Sequence, residues 1–138
     1  MKIVVAEPPN FAAIDARFNV KGKPVYFCYG DTIFNPKGVA VPPSIVAHEM
    51  VHSARQGTDP EGWWKKYIDS VEFRIAEEVP AHRAEYLWFL ERDTGKLVPK
   101  GWRSVSDFHL FHIANRLRSP LYNANLSLAK AKALICAP

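Results

Sequence analysis

The sequence predicts an α+β fold, because short strand patterns are confined to its first half and helical patterns fill the rest. Segments 24–29 and 32–34 combine β-branched and aromatic residues with turn residues at their ends. From residue 43 onward, apolar residues recur at helical spacing, and capping residue types precede several of these runs. The chain has 138 residues, of which 48% are hydrophobic, which suits one domain with a substantial core. We therefore expect residues 1–138 to form a single domain.

The first half is predicted to contain a short helix and a β-hairpin. Asn10 is a capping residue type, and Phe11–Phe18 follows it with helical spacing. Pro24–Tyr29 is typical of a strand, residues 30–31 of a turn and Thr32–Phe34 of a returning strand. We expect a small N-terminal antiparallel sheet, or a hairpin alone, before the next helix.

That next helix is predicted to follow the proline pair at 42–43, with Ser44 as its cap, and to end at Gln56. Gly57 suits a left-handed helix terminus. A short helix is expected after the turn at 59–62.

A long helix is predicted from the capping-box pattern of Asp69 and Glu72 to Phe89. Pro80 lies inside it, and proline lacks an N–H and clashes with the preceding turn. Either a kink or the start of a second helix is therefore expected at Pro80.

Two C-terminal helices complete the prediction. Ser106 and Asp107 can cap a helix that runs to Leu117. Leu121–Ile135 has the pattern of a final amphipathic helix.

Residues 48–52 read His-Glu-Met-Val-His, which is the HExxH pattern. Histidines four residues apart share a helical face and lie about 6 Å apart along the axis, so His48 and His52 can reach one tetrahedral Zn²⁺. Glu49 projects about 100° from His48, where it can take a proton from a metal-bound water without being a ligand. An ordinary amphipathic helix with two histidines would show the same pattern, so the test is a third ligand.

Candidate third ligands lie in the long helix at Glu77, Glu78, His82 and Glu85. At about 100° per residue, Glu78, His82 and Glu85 share the face that begins and ends apolar, whereas Glu77 points roughly 120° away. Ionisable groups on a buried face are costly unless they are paired or bind metal. The pattern favours Glu78 as the inward ligand and places Glu77 outward; a solvated groove is the alternative.

Together, HExxH at 48–52 and Glu78-Val79-Pro80-Ala81, which begins 26 residues after His52, resemble the gluzincins, the zinc metallopeptidases typified by thermolysin. The resemblance spans roughly Tyr26 to Phe89. It implies a zincin-like fold, in which an active-site helix and a glutamate helix follow the small sheet and precede the C-terminal helices. It also implies that His48, His52 and Glu78 bind Zn²⁺ and that Glu49 is the general base.

The chain departs from that class four residues after Glu78, where the class usually has an Asp that hydrogen-bonds a ligand histidine. His82 stands there instead and cannot supply the same fixed negative charge. His82 and Glu85 are therefore open as partners of the ligands or as alternative ligands to Glu78.

The resemblance also suggests residues that contact substrate. In zincin peptidases an edge strand runs beside the extended substrate, which suggests Asp31–Asn35 as a peptide-binding rim; a supporting hairpin is the alternative. A downstream His or Tyr often stabilises the oxyanion in that class, which makes His109, His112 and Tyr122 candidates. None of the three has a motif of its own, and a structural role also explains each.

Composition narrows the remaining function classes. Cys28 and Cys136 have no CxxC spacing, which indicates neither a disulfide framework nor a zinc ribbon and fits reducing surroundings. The apolar run in segment 1–6 is too brief for a signal peptide or a membrane span, so a cytoplasmic location is expected. The net charge is +4, but the basic residues are scattered, which argues against a nucleic-acid partner.

From these observations we expect a zinc-dependent metallopeptidase that acts on a peptide or protein. One alternative is a zinc-stabilised binding module with a closed site in which His82 is a fourth ligand. Another is hydrolysis of peptidoglycan cross-links, which a small basic chain would suit. Oligomeric state and cleavage specificity leave no pattern in the sequence.

Overall fold

The computed structural model describes residues 1–93 and 95–137, and this part of the chain has an α+β architecture. Its three strands and six helices follow in the order β1 (Lys2–Val4), α1 (Phe11–Phe18), β2 (Phe27–Tyr29), β3 (Thr32–Phe34), α2 (Pro43–Gln56), α3 (Pro60–Asp69), α4 (Val71–Arg92), α5 (Val105–Leu117) and α6 (Leu128–Cys136). The predicted α+β class is confirmed.

The sheet is mixed, with strand order β1-β3-β2. β2 and β3 form the predicted hairpin, with Cys28 opposite Ile33, although β2 begins at Phe27 and is shorter than predicted. β1 was not predicted; it pairs in parallel with β3, with Ile3 opposite Ile33. The expectation of a purely antiparallel sheet is therefore wrong, and so is that of an edge strand at Asp31–Asn35. β3 lies in the middle, and its backbone pairs on both sides.

The first two helices confirm predicted spans but not predicted caps. α1 covers Phe11–Phe18 as expected, yet the Asn10 side chain makes no capping hydrogen bond. α2 begins at Pro43, so Ser44 lies inside the helix rather than before it. Proline suits this first position because the N–H that it lacks would have no partner there.

The caps of α4 and α5 each lie near the predicted position. Asp69 is the last residue of α3, and Ser70 adopts the extended backbone of an N-cap and accepts a hydrogen bond from the Phe73 N–H. Ser104 caps α5 by accepting from the Asp107 N–H. The predicted caps at Asp69 and at 106–107 are wrong, because the backbone needed for a cap falls one or two residues away.

The last helix is shorter than predicted, running from Leu128 rather than from Leu121. Asn123 and Asn125 have φ angles of 55° and 52°, in the left-handed region that a right-handed helix excludes. Ser127 then caps α6 by accepting from the Lys130 N–H.

α4 runs without interruption through Pro80 for 22 residues, about 33 Å. A second helix does not begin there. Pro80 costs one intrahelical hydrogen bond, and the helix continues because it packs on other helices along its length.

Two apolar clusters flank α4. One joins α1, β2 and α3 and contains Ile14, Val20, Phe27, Trp63, Trp64 and Tyr67. The other joins α5 and α6 and contains Ile113, Ala114, Leu117, Ala131 and Ile135. α4 contacts α2 and α3 as well as α5 and α6, so its buried polar residues lie between the two clusters. Within the described residues, no helix is long and apolar enough to cross a lipid bilayer.

Candidate metal centre

Helix α2 brings three ionisable side chains into the interior. His48, Glu49 and His52 are 7%, 6% and 5% exposed. One helical turn separates the two histidines, and their Nε2 atoms lie 3.2 Å apart. Two ring nitrogens this close face a common point.

Helix α4 supplies a carboxylate to the same point. Glu78 is 2% exposed, with Oε2 3.4 Å from Nε2 of His48 and Oε1 3.4 Å from Nε2 of His52. Ligands about 2.0–2.1 Å from a tetrahedral ion lie about 3.3–3.4 Å from one another. The three side chains therefore fit the donor set and spacing of a metal site, and no fourth donor joins this group among the described residues.

Unpaired buried atoms concentrate at this cluster. Within the described residues, the buried side-chain atoms here without a hydrogen bond are Nδ1 of His48, Nδ1 of His52, Oε2 of Glu78 and Oε2 of Glu85. Buried polar groups are nearly always hydrogen-bonded, and an unpaired one costs about 1–3 kcal/mol. Oε2 of Glu78 makes no hydrogen bond, although Nε2 of His48 lies 3.4 Å and Nδ1 of His82 3.3 Å from it, so this oxygen is free to bind a further partner.

Electrostatics keep Glu78 ionised in the protein without metal. Burial opposes its charge, but His52, His48 and His82 outweigh burial and hold the pKa of the Glu78 carboxyl well below its usual value. The Tyr67 hydroxyl on α3 donates to Oε1 of Glu78. The carboxylate is thus charged and fixed in position.

His48 lies between two carboxylates. Burial alone would lower its pKa, but Glu78 on one side and Glu85 on the other raise the pKa of His48 to about 10. Nδ1 of His48 is 3.6 Å from Oε2 of Glu85. Without metal, His48 therefore carries a proton at neutral pH.

His82 and Glu85 form a second group with His48. All three are buried, and one donor atom from each lies within 4.8 Å of the others. Nδ1 of His82 is 2.9 Å from the backbone oxygen of Glu78 and 3.3 Å from its Oε2, but His82 does not join the group formed by His48, His52 and Glu78. Arg116 on α5 donates to Oε1 of Glu85.

Glu49 stands apart from these pairs. No described residue hydrogen-bonds its side chain, and burial, opposed by His48 and His52, raises the pKa of its carboxyl. A raised pKa makes this carboxylate a stronger proton acceptor than an exposed glutamate.

A small cavity of about 70 Å³ adjoins the cluster and has room for a few waters. His48, Glu49, His52 and Glu78 line one part of it. The remaining lining is mostly apolar and comes from the α1–β2 region, α3 and the α5–α6 connection: Ile14, Phe18, Val20, Val25, Tyr26, Phe27, Cys28, Trp63, Trp64, Tyr67, Leu121 and Tyr122.

Glu77 corrects one prediction. It does not join the cluster, but it is only 5% exposed rather than outward in solvent. The Arg55 guanidinium on α2 donates hydrogen bonds to both carboxylate oxygens of Glu77 at 2.7 and 2.9 Å, and the Trp63 indole donates to the same carboxylate at 2.9 Å. The helical period correctly separated Glu77 from Glu78, but the side of α4 that carries Glu77 packs against α2 and α3 and is not exposed to solvent.

The three candidates for oxyanion stabilisation separate in the structure. Tyr122 lines the cavity, and burial together with Glu78 and Glu49 raises the pKa of its phenol well above the usual value. His109 lies elsewhere, 2.6 Å from Asp93 and stacked on Phe89. His112 packs among aromatic residues of α5 and Trp102. Neither histidine lines the cavity.

Sequence reasoning missed Tyr67 and Arg116, the two residues that hold the buried carboxylates. Tyr67 lies four residues after Trp63, so a shared face was readable, and a buried tyrosine usually finds a partner for its hydroxyl. The identity of that partner depends on how α3 crosses α4. Arg116 has no local signal.

Comparisons with models of protein families, with curated proteins and with solved structures found no match to this chain.

Proposed function

We propose that this chain is a zinc-dependent metallopeptidase with a zincin-like core, in which His48, His52 and Glu78 hold Zn²⁺ and Glu49 is the general base. The supporting observation is the spacing of 3.2–3.4 Å between the ring nitrogens and carboxylate oxygens of three buried side chains, with Glu49 beside them on α2. Two imidazoles and one carboxylate are a donor set of catalytic zinc, which leaves one position open.

Bound zinc would supply a Lewis acid that polarises a substrate carbonyl and lowers the pKa of water. Glu49 accepts a proton from the attacking water and later delivers it to the leaving amine. Its buried position and lack of a hydrogen-bond partner leave its carboxylate available for both transfers.

Tyr122 is the proposed donor to the oxyanion. Its raised pKa keeps the phenol protonated at neutral pH, so its O–H can donate a hydrogen bond. It also lines the same cavity as Glu49.

Substrate entry requires the cavity to widen. Its volume of about 70 Å³ is below the roughly 300 Å³ at which small-molecule pockets begin. Leu121 and Tyr122 belong to the irregular connection between α5 and α6, where Arg74 donates to the Tyr122 carbonyl at 2.6 Å. We expect this connection to move when a peptide enters.

A structural zinc module is the weaker proposal. Such a site needs four protein ligands, whereas His82 lies with a different group and bonds the backbone of Glu78. A structural site also has no use for a buried, unpaired glutamate such as Glu49.

The test measures zinc per chain and hydrolysis of an unfolded protein and of purified peptidoglycan, in parallel. Glu49→Gln is expected to keep one zinc and lose hydrolysis by at least about a hundredfold. Glu78→Ala is expected to lose tight zinc binding. The matched control is Glu91→Gln on α4, since the Glu91 side chain is 70% exposed.

Each result decides a different part of the proposal. Tight binding of one zinc by Glu78→Ala would show that the ligand assignment is wrong. A wild type that holds one zinc and hydrolyses neither substrate would refute the peptidase and favour a structural metal. Cleavage of peptidoglycan alone would replace the protein substrate with a cell-wall peptide.

A further inference from the structure

Beyond Glu78, the buried face of α4 carries a second carboxylate that faces the cluster from behind. Glu85 is 2% exposed, and its Oε2 points toward Nδ1 of His48 at 3.6 Å. Both atoms are buried and without a hydrogen bond. The two groups thus face each other, just beyond hydrogen-bond length.

The other oxygen of Glu85 is held from a different helix. Arg116 on α5 donates to Oε1, and among the described residues no other side chain hydrogen-bonds Glu85. The Arg116 side chain is 47% exposed, so the pair joins a deeply buried carboxylate to the protein surface. α5 in turn belongs to the apolar cluster shared with α6.

A histidine that binds metal through Nε2 carries its proton on Nδ1, and an acceptor for that N–H fixes the ring orientation and makes the ligand more basic. Glu85 is the acceptor within reach of His48. His82 is the other polar neighbour of His48, but Nδ1 of His82 contacts Glu78, and no hydrogen bond joins the rings of His48 and His82 in the described part of the chain.

We propose that Glu85 is the positioning residue of His48 and that Arg116 is the positioning residue of Glu85, so that the seating of α5 sets the metal affinity of a site on α2 and α4. The inference rests on the metal ligands of the proposed function. It assigns α5 a role that neither the HExxH pattern nor Glu78 implies.

A second metal ion between His48, His82 and Glu85 is the competing use of the same atoms. A second ion would require His48 to bind one metal ion through each ring nitrogen, and Arg116 already neutralises the charge of Glu85. The geometry favours one ion with a carboxylate behind it.

The experiment measures zinc affinity by competition with a chromophoric chelator in Glu85→Gln and Arg116→Met. Loss of such a supporting partner costs about 10- to 100-fold in metal affinity, and we expect a decrease of this size in both variants. Arg116→Lys, which keeps the charge, is expected to recover part of the loss.

Arg83→Met is the matched control. Arg83 also leaves α4 to bind a C-terminal helix, donating to the Leu134 and Ile135 carbonyls of α6, but it does not touch the cluster. It is expected to lower stability while leaving zinc affinity unchanged. Unfolding of each metal-free variant by urea separates the two effects.

A cobalt-substituted protein distinguishes loss of a metal ligand from loss of a positioning partner. Loss of a ligand alters the d–d absorption of the ion, whereas loss of a positioning partner weakens binding and leaves the three-ligand spectrum at saturation. We expect Glu85→Gln and Arg116→Met to retain the wild-type spectrum.

Failure of this inference is distinguishable from failure of the proposed function. A wild type that binds no metal overturns both. One tightly bound ion in the wild type, with Glu85→Gln and Arg116→Met binding as tightly as Arg83→Met, overturns only the positioning role. Two ions in the wild type and one in Glu85→Gln would make Glu85 a ligand and overturn it as well.

Discussion

Raising the pH of the metal-free protein tests the electrostatics of the cluster most directly. Without metal, His48 has Glu78 and Glu85 within 3.4 and 3.6 Å of its two ring nitrogens, and together they raise its pKa to about 10 despite burial. An ordinary histidine titrates near 6.5.

At mildly alkaline pH, the protonated fraction of His48 is expected to differ greatly from that of an ordinary histidine. At about pH 8.5, a histidine with a pKa near 10 is about 97% protonated, whereas an ordinary one is about 1% protonated. Because zinc needs the neutral ring, it must displace this proton. At pH values below the pKa of His48, apparent zinc affinity is therefore expected to rise about tenfold, or 1.4 kcal/mol, for each unit by which the pH is raised.

The assay follows the imidazole nitrogens of the chelator-treated protein by NMR across the alkaline range. Glu85→Gln is the internal comparison, because removing one of the two flanking charges should lower the pKa of His48. A His48 resonance that titrates near 6.5 in the wild type would refute the placement of this ring between two carboxylates. Zinc affinity that is independent of pH would refute the proton displacement.

Three further outcomes are expected. Stability of the metal-free protein to urea should be highest between about pH 4.5 and 6.5. The stability that His48 contributes is full below pH 6.5 and is lost as the pH rises toward 10, whereas the stability that Glu78 contributes is present above pH 4.5 and is lost as the pH falls through its lowered pKa. An unfolding midpoint that keeps rising to pH 10 would contradict this. Glu77→Gln should lower the free energy of unfolding by about 1–3 kcal/mol and leave zinc stoichiometry unchanged, as checked by urea titration and metal analysis. Burial, with Glu49 and Asp31 nearby, raises the pKa of the Cys28 thiol to about 12, so a thiol reagent should label exposed Cys136 in the folded protein and both cysteines only after unfolding.

Features that depend on residues close in sequence were readable in advance. The span of α1, the hairpin and the common face of His48 and His52 follow from helical and strand periods. The same period separated Glu78 from Glu77. These predictions needed only the repeat of a single element.

Features that depend on how elements meet were not readable. β1 pairs in parallel with β3 across the 27 residues that separate Val4 from Thr32, so β3 became central instead of an edge. Ser70 caps α4 because α3 ends one residue earlier, which a single-helix pattern does not show. Arg116 reaches Glu85 only through the packing of α5 on α4.

The side chain of Gln56 occupies the backbone hydrogen-bonding groups at the β2 edge of the sheet. Its amide nitrogen donates to the Cys28 carbonyl at 2.8 Å, its amide oxygen accepts from the Gly30 N–H at 2.7 Å, and the Trp64 indole also donates to the Cys28 carbonyl. The amide thus takes the place that a neighbouring strand's peptide group would fill. Here β2 cannot recruit another strand, which protects this margin against intermolecular sheet growth and leaves β1 to receive any added strand.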